Sequence, residues 1–186
     1  FFTMQKANFL LPLLLCVTID TYSIEEGEGD FTLVKKDKAI ALFERWLVNG
    51  QGEKVRELKA VFQVRATIPE ITALLMDAAQ GTRWNRHAQT YRVHTRGNAW
   101  VNYIRYKIPW PLDDQDCCLH YSFHRPPLKE DTSLTLYFKS ITDPQYPAQK
   151  NTTRISGIGG QWEMQTLASG TVTITYRISS NRSTTL

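Results

Sequence analysis

The sequence predicts an α+β fold in which a curved antiparallel sheet carries helices on its concave face. Apolar and polar residues alternate through most of the chain, which is the period of strands with one buried face. Residues 68–78 instead have the spacing of an amphipathic helix. This segment stands between a first group of strands and five later ones, and a sheet with so many strands tends to curl.

Two strand-like segments precede the helix. Residues 40–48 are rich in β-forming side chains, and Asn49–Gly52, with the sequence NGQG, is typical of a hairpin turn. After this turn, one face of the next strand is apolar and carries Leu58, Ala60, Phe62, Val64 and Ala66.

The helix has a clear beginning. Thr67 and Glu70 match a capping box, and Pro69 suits a first helical turn. Gly81 is expected to end this helix, with a short second helical turn at residues 84–88. One short helix covers little of a long sheet, so the pattern predicts either a further helix or a cavity.

The five later strands are predicted at residues 99–108, 117–123, 134–138, 154–164 and 172–178. The last is the clearest, with Val172, Ile174, Tyr176 and Ile178 on one face. Gly157, Gly159 and Gly160 provide a place where the sheet can bend.

A stiff corner separates the first two of these strands. Pro109 and Pro111 end one strand because proline fixes φ and lacks an N–H donor. Asp113, Asp114 and Asp116 are expected to accept hydrogen bonds from turn amides. Trp110 between the prolines is expected to pack on the neighbouring helix, with contact to a ligand or partner as the alternative.

The first residues predict export. Residues 4–23 have the order of a secretory signal peptide: Lys6, an apolar run from Ala7 to Ile19, then the small residues Thr21 and Ser23. The apolar run is short for a membrane span, yet an uncleaved anchor and a buried helix remain alternatives. Residues 24–30 are predicted to be a linker, and 31–186 the folded domain, which would be periplasmic or secreted.

Charge and composition argue against several functions. The net charge is +4 and is spread along the chain, which does not favour nucleic-acid binding but leaves open weak attraction to anionic membrane surfaces. Cys16, Cys117 and Cys118 do not form a disulfide framework. His120 and His124 on one strand would stand roughly 13 Å apart, too far to share a metal ion. No cofactor is expected.

Four segments in order resemble START domains, the lipid-transfer modules of the helix-grip superfamily. The segment YKIPWPLDDQD looks like their strand-end signature, and IPEITALLMD resembles their first helix. Trp84 is similar to the aromatic residue just after it, and RISGIGGQWEMQTLASGTVTITY to their closing strands. The resemblance spans about residues 31–179 and is greatest to secreted bacterial members.

Three departures from the family pattern matter. Gln115 stands before Asp116, where the family usually has arginine. Asn102 and Tyr121 occupy the places of the acid and arginine of sterol-binding members, so sterol specificity is not implied. The family ends in a long helix that closes the pocket, whereas this sequence ends at SSNRSTTL; the lid helix is expected to be missing from this chain.

The resemblance implies noncovalent binding of a hydrophobic ligand such as a lipid, with transport of that ligand as a further expectation. The inward stripe would then line a cavity whose polar tips, Asn102 and the tyrosine hydroxyls, orient the ligand. The other interpretation of the same stripe is a solid core. The predicted ligand-binding residues are Trp100, Asn102, Ile104, Tyr106, Leu119, Tyr121, Phe123, Leu136, Phe138, Trp162, Met164, Ile174 and Tyr176.

The loop at residues 142–153 stands where START domains keep a flap over the tunnel, with a plain connector as the alternative. Lys150 and Arg154 near it are candidates to meet lipid phosphates. The chain is expected to be a monomer without enzymatic activity. The alternatives are an enzyme like polyketide cyclases or aromatases, which would need a titratable group in the cavity, and a noncatalytic interaction module.

Overall fold

The computed structural model describes residues 31–48, 52–123 and 131–180. The predicted signal peptide, the linker, residues 49–51 of the hairpin turn, His124 and the last six residues lie outside this part. No helix of the described segments is long and apolar enough to cross a membrane. The elements are β1 (Thr32–Lys36), β2 (Ile40–Val48), β3 (Lys54–Val64), α1 (Ile68–Met76), α2 (Ala78–Trp84), β4 (Ala88–Arg96), β5 (Ala99–Tyr106), β6 (Asp114–Ser122), β7 (Ser133–Ser140), β8 (Thr152–Arg154), β9 (Ile158–Thr166) and β10 (Val172–Ser180).

All the strands belong to one sheet, in the order β1-β2-β3-β10-β9-β7-β6-β5-β4. Neighbours along this order run antiparallel, and the short β8 pairs in parallel with the start of β6. The first three strands of the described sequence therefore stand beside its last strands, because β3 pairs with β10. The predicted α+β class with a long antiparallel sheet is confirmed.

The helix α1 begins as the sequence predicts. The N–H of Thr67 donates to Glu70 Oε2 at 2.7 Å, and the N–H of Glu70 donates back to Thr67 Oγ1 at 3.4 Å. Its apolar residues Ile68, Ile71 and Leu75 are buried against the sheet. The face that receives them is called the inner face below.

The prediction for Gly81 is wrong. A second helix, α2, starts at once because Asp77 Oδ1 accepts hydrogen bonds from the N–H groups of Ala79 and Gln80. Gly81 lies inside this helix, where a Cβ would stand 2.0 Å from the Tyr91 ring. The glycine thus allows close approach of α2 to β4, and the expected helical turn at 84–88 is replaced by the end of α2 and the start of β4.

Three strands were not predicted: β1, β4 and β8. Every residue of β1 is exposed, so no alternation between buried and exposed positions marks it in the sequence. The strand β4 forms the other end of the sheet order and is rich in polar residues. The strand β8 has only three residues. Alternation identifies strands with one buried face, and these strands lack that pattern.

The corner between β5 and β6 differs from the expectation in two ways. Trp110 does not pack on a helix, because 91% of its surface is exposed. Asp114 accepts from the N–H of Ile108 at 3.2 Å, as expected for a turn. Asp116 is 1% exposed and binds the Arg154 side chain instead, with distances of 2.6 and 3.0 Å.

Gly160 in β9 is required by close packing. A Cβ at this position would stand 2.1 Å from the carbonyl oxygen of Arg177 and 2.5 Å from Phe138 Cζ. At the neighbouring Gly159, a Cβ would meet nothing within 4 Å. The two glycines therefore differ sharply, although the sequence presents them as one cluster.

We expect Gly160→Ala to lower the free energy of unfolding by about 1–3 kcal/mol, because the backbone of β10 and the Phe138 ring must move. Gly159→Ala is the matched control and should change it by less than about 0.5 kcal/mol. Urea denaturation followed by circular dichroism measures both. Equal losses for the two variants would contradict the packing described.

Candidate functional site

The inner face of the sheet divides into a packed end and a hollow end. At the packed end, the apolar residues of α1 belong to one buried cluster with Trp100, Leu136 and Met164, which are almost completely buried. The Trp100 and Tyr121 rings stack with their centroids 5.1 Å apart. This end has the interdigitated side chains of a protein core.

Polar bonds fix α1 at the packed end. The carbonyl of Leu75 accepts from the Tyr91 hydroxyl at 2.8 Å and from Asn102 Nδ2 at 3.3 Å. Asn102 Nδ2 also donates to the Tyr91 hydroxyl. The amide nitrogen of Asn102 is thus used within the fold, between the helix and two strands.

At the other end of the inner face lies a cavity of about 280 Å³. It is bordered by the end of α2 and the residue after it, by β5, β6, β9 and β10, and by the segment before β9. The lining residues are Trp84, Asn85, Ile104, Tyr106, Cys117, Leu119, Tyr121, Ile155, Ile158, Trp162, Tyr176, Ile178 and Ser180.

The cavity wall is mainly apolar and has a few polar groups. Asn85 Nδ2 donates to the Tyr106 hydroxyl at 3.2 Å. The indole N–H of Trp162 is buried and has no hydrogen-bond partner among the residues that the structure describes. Burying such a donor without a partner costs free energy.

The ionisable groups of the wall are held in their neutral forms. Burial is the main cause that raises the pKa of Tyr106, Tyr121 and Tyr176. Burial also raises the pKa of Cys117 to about 12. At neutral pH these four groups carry no charge, which suits an apolar guest.

A second depression, of about 330 Å³, lies at the turn between β1 and β2. Its wall includes the charged residues Lys36, Asp37 and Lys38 and the outward-facing Val61 and Thr173. It is an open depression beside the charged residues of a turn, so it encloses a ligand less than the inner-face cavity does. The inner-face cavity is the better candidate site.

The structure separates the predicted ligand-binding residues into groups. Asn102 is bonded to α1, and Phe123 packs beside Trp100, with ring centroids 5.8 Å apart. Those buried in the core and not on the cavity wall are Trp100, Leu136, Phe138, Met164 and Ile174. Those on the cavity wall are Ile104, Tyr106, Leu119, Tyr121, Trp162 and Tyr176.

Seven wall residues were not among the predicted ligand-binding residues. Cys117 and Ile178 lie on strand faces that alternation marks as inward, and Trp84 follows the helix as an aromatic residue. Ile155 and Ile158 fall in the predicted fourth strand segment. Asn85 and Ser180 also line the cavity but carry no comparable signal in the sequence.

The loop at residues 142–153 packs on the outer face of the sheet, away from the cavity. Asp143 is buried, and its oxygens lie 3.1 and 2.9 Å from Arg96 Nη2. The Tyr146 ring stacks on Tyr103 at 4.6 Å. This loop belongs to a second cluster of buried residues that includes Val101 and Cys118, so its anchored part does not form a flap.

Arg154 is engaged by the protein. Besides Asp116, it donates to the carbonyl of Tyr146 at 3.0 Å. Tyr103 donates its hydroxyl to Asp116 Oδ2 at 3.1 Å, which completes the network on the outer face. The idea that Arg154 meets a lipid phosphate does not fit these contacts.

Within the described segments, no group of three or more His, Cys, Asp or Glu side chains is placed to hold a metal ion. Cys117 and Cys118 are both free thiols. They point to opposite faces of β6: Cys117 lines the cavity, and Cys118 belongs to the outer cluster.

Comparisons with known proteins identify the fold. No protein-family profile matches the chain. The uncharacterized protein PA1579 of Pseudomonas aeruginosa is 25% identical over 152 residues, which cover 80% of this chain and 71% of that protein. The crystal structure of a STAR-related lipid transfer protein from Xanthomonas axonopodis is similar with a TM-score of 0.67, at 22% identity and 80% coverage of both chains.

Two human structures are similar as well. Human STARD10 aligns with a TM-score of 0.66, 17% identity, and coverage of 87% of this chain and 64% of that one. Human StAR-related lipid transfer protein 5 aligns with a TM-score of 0.63 and 9% identity, covering 83% of this chain and 74% of that one. The chain therefore has the helix-grip fold of START domains, as its sequence predicts.

The buried tyrosines and Cys117 predict a loss of stability in alkali. Their folded-state pKa values are raised, so the unfolded chain releases these protons at lower pH than the folded one. Their contribution is fully present below about pH 8 and is lost as pH rises past the ordinary values of about 8.5 for Cys and 10 for Tyr.

We therefore expect the free energy of unfolding to fall between about pH 8 and pH 11. Tyr121→Phe keeps the ring stacked on Trp100 but removes one titrating group, so its stability should fall less steeply. Urea denaturation at a series of pH values measures both proteins. Parallel pH profiles for the two would contradict the assigned role of Tyr121.

Proposed function

We propose that this protein binds a hydrophobic ligand, such as a lipid, noncovalently in the inner-face cavity and carries it between membranes. The observation that supports this most directly is the uncharged, mainly apolar cavity between the helices and the sheet. Solved proteins of the same fold are named for lipid transfer, which supports the same class of ligand.

The driving force is burial of apolar surface. Each methylene moved from water into the cavity contributes about 0.8 kcal/mol, and several together offset the cost of immobilising the ligand. The acyl chain of a lipid meets this condition.

The volume of the cavity favours partial enclosure of a long acyl chain. Small-molecule sites usually have about 300–1,000 Å³, and this cavity has about 280 Å³. Beyond the cavity wall, Ile178 pairs with Leu58 of β3, which is partly exposed on the same face. A ligand longer than the cavity thus has further apolar surface to follow.

We also propose that this carrier works outside the cytoplasm. The support is the predicted signal peptide at residues 4–23, with Lys6 before an apolar run. In the periplasm, a soluble carrier would shield acyl chains from water during transfer. Retention of the segment as an anchor would instead keep the carrier at one membrane.

Chemistry on the ligand is less favoured than binding. A cyclase-like enzyme needs a general acid or base with a pKa near neutrality. The raised pKa values of Tyr106, Cys117, Tyr121 and Tyr176 make these groups poor proton-transfer catalysts at pH 7. Binding without reaction needs only the uncharged, mainly apolar wall of the cavity.

The test is direct ligand binding. Organic extracts of the purified protein are analysed by mass spectrometry, and a fluorescent fatty acid is titrated against the emptied protein. We expect Ile178→Asp to weaken its binding at least about tenfold, because a carboxylate in the wall must be desolvated. Thr175→Asp, on the outer face of the same strand, is the matched control and should bind normally.

Two results would contradict the proposal. The first is the absence of lipid from repeated extracts together with no binding of the fluorescent fatty acid. The second is unchanged affinity in a folded Ile178→Asp protein, which would place the binding site elsewhere.

A further inference from the structure

The first residues of β6 pair with β8 and not with β7. The strands β6 and β7 pair at residues 119–122 of β6, whereas residues 114–116 pair in parallel with the three residues of β8. Such a short strand has few backbone bonds to hold it in place. After β8 the chain crosses to Ile158, the first residue of β9. Residues 155–158 are called the crossing segment below.

An ion pair and two cavity-wall residues are neighbours in this short ladder. Asp116 and Arg154 are partners in the register of β6 and β8. The next residue on each side, Cys117 and Ile155, lines the cavity. Because successive residues of a strand point to opposite faces, the ion pair stands on the outer face directly behind this part of the cavity wall.

Side-chain bonds fix Arg154 to β6. Arg154 Nε donates to Asp116 Oδ1 at 2.6 Å, and Arg154 Nη2 donates to Asp116 Oδ2 at 3.0 Å. Two parallel bonds of this kind fix the direction of the guanidinium as well as its distance. The carboxylate itself is held to β5 by the Tyr103 hydroxyl, which donates to it at 3.1 Å, and it is almost completely buried. The position of Arg154 is therefore set by two strands of the sheet.

Two backbone donors tie the crossing segment to the sheet. The N–H of Ile155 donates to the carbonyl of Asp116 at 2.7 Å, and the N–H of Ile158 donates to Ser140 Oγ at 3.0 Å. Both isoleucines line the cavity. Since Ile155 directly follows Arg154, a shift of Arg154 along β6 also moves the Ile155 side chain in the wall.

We infer that Arg154 is a positioning residue for ligand binding: its two bonds to Asp116 on the outer face set where Ile155 stands on the cavity wall. This inference rests on the proposed function and deepens it, because it names a residue outside the cavity that determines the affinity for the ligand. Arg154 acts through Ile155 and does not touch the ligand.

The other buried ion pair of the outer face provides a control. Arg96 Nη2 lies 2.9 Å from Asp143 Oδ2, and this pair anchors the loop that precedes β8. In the part of the chain that the structure describes, the residues next to Arg96 and Asp143 in the sequence do not line the cavity. A change in this pair therefore affects the outer face without moving the wall.

Arg154→Lys separates position from charge. Lysine keeps a cation beside the buried Asp116, so that the carboxylate is not left unpaired, but it cannot form both bonds of the guanidinium. Because the charge is unchanged, an altered affinity reports the position of the wall. Arg96→Lys makes the same change in the pair with Asp143 and is the matched control.

The first measurement is a double-mutant cycle on the affinity for a fluorescent fatty acid, titrated against the full chain. We expect Arg154→Lys and Ile155→Ala each to weaken binding at least about threefold, because contact between wall and ligand is lost. In the Ile155→Ala background, Arg154→Lys should weaken binding by less than about 1.5-fold further, because the side chain through which it acts is gone. Arg96→Lys should bind as the wild type does. Additive effects, or unchanged affinity in a folded Arg154→Lys protein, would overturn the inference.

The second measurement needs no ligand. Amide hydrogen exchange of the emptied protein, followed by mass spectrometry of its peptides, reports on the bonds made by the N–H groups of Ile155 and Ile158. We expect exchange in the crossing segment to be at least about tenfold faster in Arg154→Lys than in the wild type, and unchanged in Arg96→Lys. Equal exchange in the two variants would show that Arg154 does not position the wall.

The two measurements separate this inference from the carrier function. A wild-type protein that binds no fatty acid would refute the carrier function, whereas faster exchange in Arg154→Lys would still support the positioning of the wall by Arg154. Fatty-acid binding by the wild type, with affinity and exchange both unchanged in Arg154→Lys, would refute the role of Arg154 alone.

Discussion

The packing of α1 on the inner face is the constraint on which the rest of the structure depends. The carbonyl of Leu75 near the end of α1 accepts from both Tyr91 and Asn102, so buried polar bonds fix where the helix stands. Because α1 has nine residues, it fills only one end of the inner face. The other end, bordered by the end of α2, remains hollow, and the cavity follows from the shortness and position of α1.

The outer face of the same strands is made rigid by buried ion pairs. Asp116 and Asp143 are each about 1% exposed and are paired with Arg154 and Arg96. A buried carboxylate without such a partner would be strongly unfavourable, so these pairs hold the 142–153 loop against the sheet. The sheet beneath the cavity is thus backed by packed structure, and a ligand would enter from the inner side or from the end of the strands.

The sequence predicts the parts of this fold that bury one face. The predictions of β2, β10 and the capped start of α1 are confirmed. Alternation and the Thr67–Glu70 capping box depend only on residues that are close together in the sequence. The edges β1 and β4 lack that alternation. The periodicity also cannot separate Met164 in the core from Trp162 on the cavity wall, since both face inward; only the reach of α1 decides which is covered. Trp110 was expected to pack on the neighbouring helix, and its exposure instead depends on the geometry of the corner.

The neutral cavity wall also constrains how an amphipathic ligand would lie. A phosphate or carboxylate placed among Tyr121, Tyr176 and Trp162 would lose its hydration, and the described wall offers it no cation there. The charged end of a lipid would therefore stay at the hollow end of the sheet, where Lys107 is exposed, while its tail occupies the apolar wall.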